Sequence, residues 1–253
     1  MLIGAGEIID HAWDLYKKNF KKYLAIVVWA LVPIIILGAA QLLLLEILPD
    51  RQEVITTVTF LLGLPVYLVS LYVQIAAVRA TVALLRGEQA APSKLLRQAA
   101  PAFFPTVITT VVVTIIMLAG FLALIVPGVI FSVWFAFAIF LTIIEGLPWR
   151  EALRASRRLT SGRWFSVAWR LAAPSFFWIL AVSVASSLLV FLANGLSGRW
   201  AIAFEGAPTW LVMINSVISS IIEGLGGPLL MISVVILLLD LKRESKATAE
   251  SPN

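Results

Sequence analysis

Six stretches of the chain run apolar far longer than a core strand or a short core helix requires: about residues 23–45, 55–85, 104–126, 129–147, 164–193 and 210–239. About 20 apolar residues in a helix cross a hydrocarbon core of ~30 Å, so each stretch predicts a membrane span. The runs are continuous rather than alternating, which excludes the strands of a transmembrane barrel. Hydrocarbon satisfies no backbone polar group, so the remaining solution is helices. The expected fold class is an all-α membrane protein with six transmembrane helices, a single domain over residues 1–241, followed by a polar tail at 242–253.

Between the spans the pattern changes to helical amphipathicity. In residues 5–22 one face carries Ile8, Ile9, Ala12, Trp13, Tyr16 and Phe20, which predicts a surface helix; the segment is too polar for a cleavable signal. Residues 92–100 read as a second short helix, opened by Pro92 and Ser93 and closed by Pro101 and Pro105. The third, at 148–160, follows Pro148 and places Trp149, Ala152, Leu153, Ser156 and Leu159 opposite Arg150, Arg154, Arg157 and Arg158. Such a helix suits the headgroup layer, with arginines toward lipid phosphate. Pro127-Gly128 reads as a tight turn that makes the third and fourth spans antiparallel neighbours. Pro33 and Pro65 predict kinks. The three surface segments each precede two spans, a partial internal repeat that any interfacial helix before a span would also produce.

Composition sharpens the class. With 61% hydrophobic residues, 13% charged and a mean hydropathy of +1.00, the chain lies outside ordinary soluble domains. Its net charge of +5 reports orientation and gives no reason to expect nucleic acid. Seventeen of the nineteen Lys and Arg residues fall on the side of the N-terminus, leaving Arg51 and Arg199 opposite. By the positive-inside rule both termini are expected in the cytoplasm. There is no cysteine and one histidine, His11, so neither a thiolate nor a multi-histidine metal centre is expected. No G-x-S-x-G elbow, H-E-x-x-H pair or phosphate-binding glycine loop occurs. The expectation is a non-enzymatic protein with no cofactor.

The central stretch, Pro127-Gly128, a span, then IIEGLPWREALRASRRLTSGRW, resembles a bacterial membrane-protein group. That group includes the membrane domain found beside some glycerophosphodiester phosphodiesterases and the YciC-like and DUF975-like proteins. The likeness rests on Pro127, Gly128, Glu145, Gly146, Glu151, Ala152, Leu153, Ser156, Leu159 and Gly162. Near the C-terminus it rests on Pro228 and on LLLDLKRE with Asp240, Lys242 and Arg243. The resemblance implies a multi-pass protein of the bacterial cytoplasmic membrane, in which Pro127, Gly128, Glu145, Pro228 and Asp240 mark architecture. No phosphodiesterase domain stands within these 253 residues, so that activity does not carry over.

Two kinds of candidate site follow. Glu223 stands thirteen positions into the sixth span and is followed by GLGGP; at 1.5 Å per residue it lies ~20 Å below Trp210. An ionisable group at that depth marks a functional hypothesis by default. Pro228 and the glycines would interrupt the helix, and Asn215, Ser219 and Ser220, with Ser216, would line a polar stripe with Ser183, Ser187 and Asn194. The bland alternative is close helix packing by small residues around a neutral, hydrogen-bonded Glu223. The second kind is basic: Arg150, Arg154, Arg157 and Arg158, with Arg79 and Arg170 near cytoplasmic span ends, are candidate contacts for anionic lipid. Glu145 and Asp240 are expected to pair with basic residues of the surface helices. The readings are a protein that binds or organises lipid or membrane-protein partners, and, as the alternative, a small transporter or channel using Glu223.

Because the chain lacks cysteine, single cysteines report the topology directly. Ala155→Cys should be protected from an impermeant reagent added outside the cell, while Arg51→Cys and Arg199→Cys should react; the opposite pattern removes the six-span orientation.

Overall fold

A computed structural model describes residues 3–88, 91–196 and 209–250. Every regular element among the described residues is a helix: α1 (Ala5–Lys18), α2 (Phe20–Ile47), α3 (Gln52–Leu85), α4 (Pro92–Ala123), α5 (Ile125–Phe135), α6 (Ala138–Glu145), α7 (Trp149–Thr160), α8 (Trp164–Leu196) and α9 (Thr209–Glu250). Six are long and apolar enough to cross a membrane: α2, α3, α4, the α5–α6 pair taken together, α8 and α9. The chain is a multi-pass, all-α membrane protein.

The core is gathered at one end of the bundle. Tyr23 and Ile26 of α2, Ile75 and Val78 of α3, Leu141 of α6, and Ile232, Leu237 and Leu241 of α9 are all but fully buried there, together with Ile8 and Ala12 of α1 and Ala152 of α7. Further along the same long helices large apolar side chains point outward, among them Ile36 and Ile47 of α2, Phe60 and Leu64 of α3, and Ile115 and Leu122 of α4. Hydrocarbon is the solvent that covers such a belt without cost. Both described ends of the chain meet at the packed end. The Ile3 N–H donates to Asp240 at 3.0 Å, and Arg163 pairs with Glu244 at 2.6 Å. The two described ends therefore lie on one side.

Four boundaries depart from the sequence pattern. Pro127-Gly128 is not the turn between the third and fourth spans. The reversal falls at extended Leu124, and both residues sit in the first turn of α5. Gly128 serves packing instead: a Cβ there would lie 2.4 Å from the Phe121 ring, and one on Gly120 would lie 3.1 Å from the Gly128 backbone. The short helix at 92–100 is not separate. It continues through Pro101 and Pro105 into the third span as α4. The Thr109 hydroxyl adds a bond back to the Pro105 carbonyl in this stretch. The fourth span is two helices, α5 and α6, broken at Ala136-Phe137. Finally, residues 242–250 do not form a structureless tail but extend α9. The segment KRESKATAE is made largely of strong helix formers, and extending an existing helix needs no new nucleus.

Prolines 33, 65, 174 and 228 likewise lie inside helices, as membrane helices permit when neighbours take up the freed groups. The Gly128 contact supplies a test. Gly128→Ala should lower stability by about 1–3 kcal/mol through overpacking against Phe121. Gly38→Ala, at a helical glycine with open space around it, should be neutral or gain up to about 1 kcal/mol. Thermal unfolding in one detergent compares them, and equal midpoints would refute the close α4–α5 seam.

Candidate functional site

The basic helix α7 is built by its own alternation. Ala152, Leu153, Ser156 and Thr160 are buried, whereas Arg150, Arg154, Arg157 and Arg158 are exposed. After α6 the chain turns through Gly146, whose φ of +71° is left-handed, and Pro148 begins the return. The consequence is an α6–α7 hairpin in which Ser156 comes level with the end of α5. There its hydroxyl donates to the Trp134 carbonyl at 2.7 Å and accepts from the Phe137 N–H at 3.2 Å. A side chain inserted into the i→i−4 ladder is a recognised cause of a helix break, and it accounts for the division of the fourth span. The apolar face of α7 is thus turned onto α4, α5 and α6 rather than onto lipid. Its arginines remain outside. Arg157 lies over the Trp134 ring at 4.4 Å and Arg150 over Trp149 at 4.9 Å. None of the four has a carboxylate partner among the described residues.

The other two predicted lipid contacts are engaged within the protein. Arg170 donates through Nε to the Ile3 carbonyl at 2.8 Å and through Nη1 to the Ser166 carbonyl. Arg79 donates to the Ile143 carbonyl at 3.3 Å, and its Nε is buried without a partner. Glu145 pairs with Lys242 on the extension of α9, and Asp240 accepts from Ile3. Among the described residues neither pairs with a surface-helix cation: the extension of α9 brings Lys242 to Glu145, and Asp240 takes the Ile3 N–H instead.

The residues grouped around Glu223 divide between two faces of α9. Asn215 donates to Asn194 at 3.1 Å, and Ser186 donates to Ser219 at 3.1 Å, so these side chains form a seam with α8. The serine of α8 in that seam is Ser186; Ser183 and Ser187 are exposed. Ser220 is half-buried, and Ser216 bonds back to the Val212 carbonyl. Glu223 lies on a different face, bordering a cavity of about 290 Å³ between α2, α3 and α9. Tyr67, Ser70 and Gln74 of α3 border the same space. The side-chain period of 100° per residue, which turns Glu223 some 80° from Asn215, is enough to separate them.

The expected break at Gly224 to Pro228 does not form. Pro228 has no N–H to offer the Gly224 carbonyl, but the helix passes straight through. Packing holds it: a Cβ on Gly224 would come within 2.4 Å of Leu31, and one on Gly226 within 2.3 Å of Val182. The Tyr16 hydroxyl of α1 adds a hydrogen bond to the Leu225 carbonyl at 2.8 Å. Burial raises the pKa of that phenol above its ordinary value, so it remains a donor. Gly227, with nothing within 4 Å of a Cβ position, opens on the cavity.

No family model matches the chain, and no curated protein or solved structure matches it either. The site therefore rests on its geometry. The Ser156 insertion was invisible in sequence, where a serine between arginines looks like an ordinary polar position; its place on the apolar face was the available signal. Ser156→Ala leaves the Trp134 carbonyl and the Phe137 N–H without this partner and should cost about 1–3 kcal/mol. Faster tryptic cleavage after Arg157, together with a lower thermal midpoint, is the expected result. An unchanged cleavage rate would show that Ser156 does not hold α7 down.

Proposed function

We propose that the protein is a non-enzymatic membrane protein of the bacterial cytoplasmic membrane that binds or organises anionic lipid on its cytoplasmic face. The observation carrying this reading is the division of labour on α7. Its apolar side is used in docking, so the four outward arginines are not needed to bury it, and they carry positive charge with no carboxylate partner among the described residues. Each basic residue close to an anionic membrane surface contributes about 1 kcal/mol. Trp134 and Trp149, beneath two of these guanidinium groups, suit the interfacial level where tryptophan is enriched. The likeness of the central stretch to a bacterial membrane-protein group agrees with this assignment. A membrane-protein partner that is itself acidic would use the same face.

Replacing Arg150, Arg154, Arg157 and Arg158 with glutamine should reduce anionic lipid co-purifying with the protein stepwise with each charge removed. Full retention by the quadruple variant would leave α7 a structural brace and remove the reading.

The cavity beside Glu223 favours a second reading, a small transporter or channel. It places an ionisable group, an amide, a phenol and a hydroxyl around one space in a region otherwise apolar. The unbroken course of α9 weighs against the discontinuous helices that many transporters use. Gly227→Cys decides the matter at the cavity. Modification by an impermeant, water-soluble thiol reagent, suppressed by Glu223→Leu, supports a hydrated path; complete protection from both sides of the membrane removes it.

A further inference from the structure

We propose a second anion site, distinct from the outer face of α7, that takes a phosphate group in an open cleft between the ends of α3, α4 and α6. The site is a cavity of about 180 Å³ bordered by Arg79 and Arg86 of α3, Glu88 of the following turn, Lys94 and Gln98 of α4, and Ile143 of α6. A single water needs roughly 10–15 Å³ of such space, so a tetrahedral oxyanion is accommodated. This deepens the lipid reading, on which it rests only for one of the two sources its ligand has.

Local structure fixes the convergence. Helix α3 ends in a Schellman arrangement: Gly87, at φ +76°, donates to the Leu84 carbonyl, and Glu88 donates to the Ala83 carbonyl at 2.9 Å. That closure places Arg86 and Glu88 at a defined rim. The Tyr72 hydroxyl donates to the Leu96 carbonyl at 2.6 Å and ties α3 to the second turn of α4, which carries Lys94 and Gln98 on the cavity side. Arg79, one to two turns deeper, reaches the last turn of α6 through the Ile143 carbonyl.

Charge then selects the ligand. Three cations and one carboxylate border the cavity, an excess of two positive charges. No ion pair joins Glu88 to any of the three among the described residues. Like charges brought together around one cleft repel, and an anion between them removes that repulsion. The buried Nε of Arg79 lacks an acceptor, and a guanidinium is the group best matched to phosphate oxygens. The carboxamide of Gln98 can add a neutral donor. Basic pockets between membrane helices at the cytoplasmic level are where lipid phosphates are bound, and a soluble phosphate monoester offers the same oxygens.

The test uses the full-length protein, delipidated in detergent, with two probes: glycerol phosphate in solution, and phosphatidate in nanodiscs. Saturable binding is measured for the wild type, for the Arg86→Gln/Lys94→Gln double variant at exposed positions, and for Arg79→Lys, which keeps the charge but loses the planar fork. The double variant should bind roughly 30-fold more weakly, about fivefold per charge removed, and Arg79→Lys several-fold more weakly, with thermal midpoints unchanged for the double variant. Binding of glycerol phosphate with this variant pattern supports the site with a soluble ligand, and binding of phosphatidate alone supports it with a lipid headgroup. Binding of neither probe, or equal binding by wild type and double variant, overturns it. If phosphatidate binding falls only in the α7 glutamine variant, the cleft site fails while the lipid-binding face stands. If the cleft site binds glycerol phosphate while the α7 variant retains all its lipid, the reverse holds.

Discussion

In hydrocarbon an N–H or C=O that loses its helical partner has no water to turn to, and the price is several kcal/mol. The organisation of this bundle shows how some of these groups are met. The interruption between α5 and α6 is occupied by the Ser156 hydroxyl, which acts as acceptor and donor at once. At the end of α6, the Ile143 carbonyl receives Arg79. Near Pro228, Tyr16 adds a bond to the Leu225 carbonyl, one residue from the Gly224 carbonyl that the proline leaves without a donor. In each case the bond comes from a segment distant in sequence, so local irregularity coincides with tertiary connection. Helices α1 and α7, which would otherwise be dispensable appendages, are tied to the spans by these bonds.

The same economy explains the uneven packing. Where α2, α3, α4 and α9 pass through the belt of outward apolar side chains, contact with lipid tails is as favourable as contact with protein, and nothing compels tight association. Close approach occurs where a glycine removes the obstacle, as at Gly120 with Gly128 and at Gly226 beside Val182. At the other end, buried aromatics and interhelical hydroxyl bonds, such as Tyr23 with Thr81 at 2.8 Å and Trp178 with Ser233 at 3.1 Å, build a core of soluble-protein character. The candidate anion cavity lies within that firmer end, whose rim does not depend on lipid to keep its shape.

Much of this was legible in sequence because length and apolar composition alone dictate spanning helices. The number of spans and the two faces of α7 follow from a period and a count. Proline was less informative: Pro101 and Pro105 look like helix terminators, yet α4 runs through both. Gly128 beside Pro127 carries a turn signature, although the space it leaves is used by Phe121. Arg86, Lys94 and Gln98 are each, in sequence, ordinary polar residues near a span end; only the docking of α3 on α4 and α6 makes them one group. Asn215 and Glu223 share a stretch of sequence, yet the helical rotation between them sends one toward α8 and the other toward α2 and α3.

Ile3 is held through both of its backbone polar groups, by Asp240 of α9 and Arg170 of α8. Both partners are made after α1. Helix α1 must therefore wait, undocked and with the apolar side chains of Ile8, Ala12 and Tyr16 uncovered, until α8 and α9 have been inserted. A separation of 237 residues between bonded groups is a large closure for any chain. Here the loop is already threaded through the bilayer when closure occurs, so the docking of α1 reports that α8 and α9 are in place: a chain truncated before α9 lacks the surface that shelters α1.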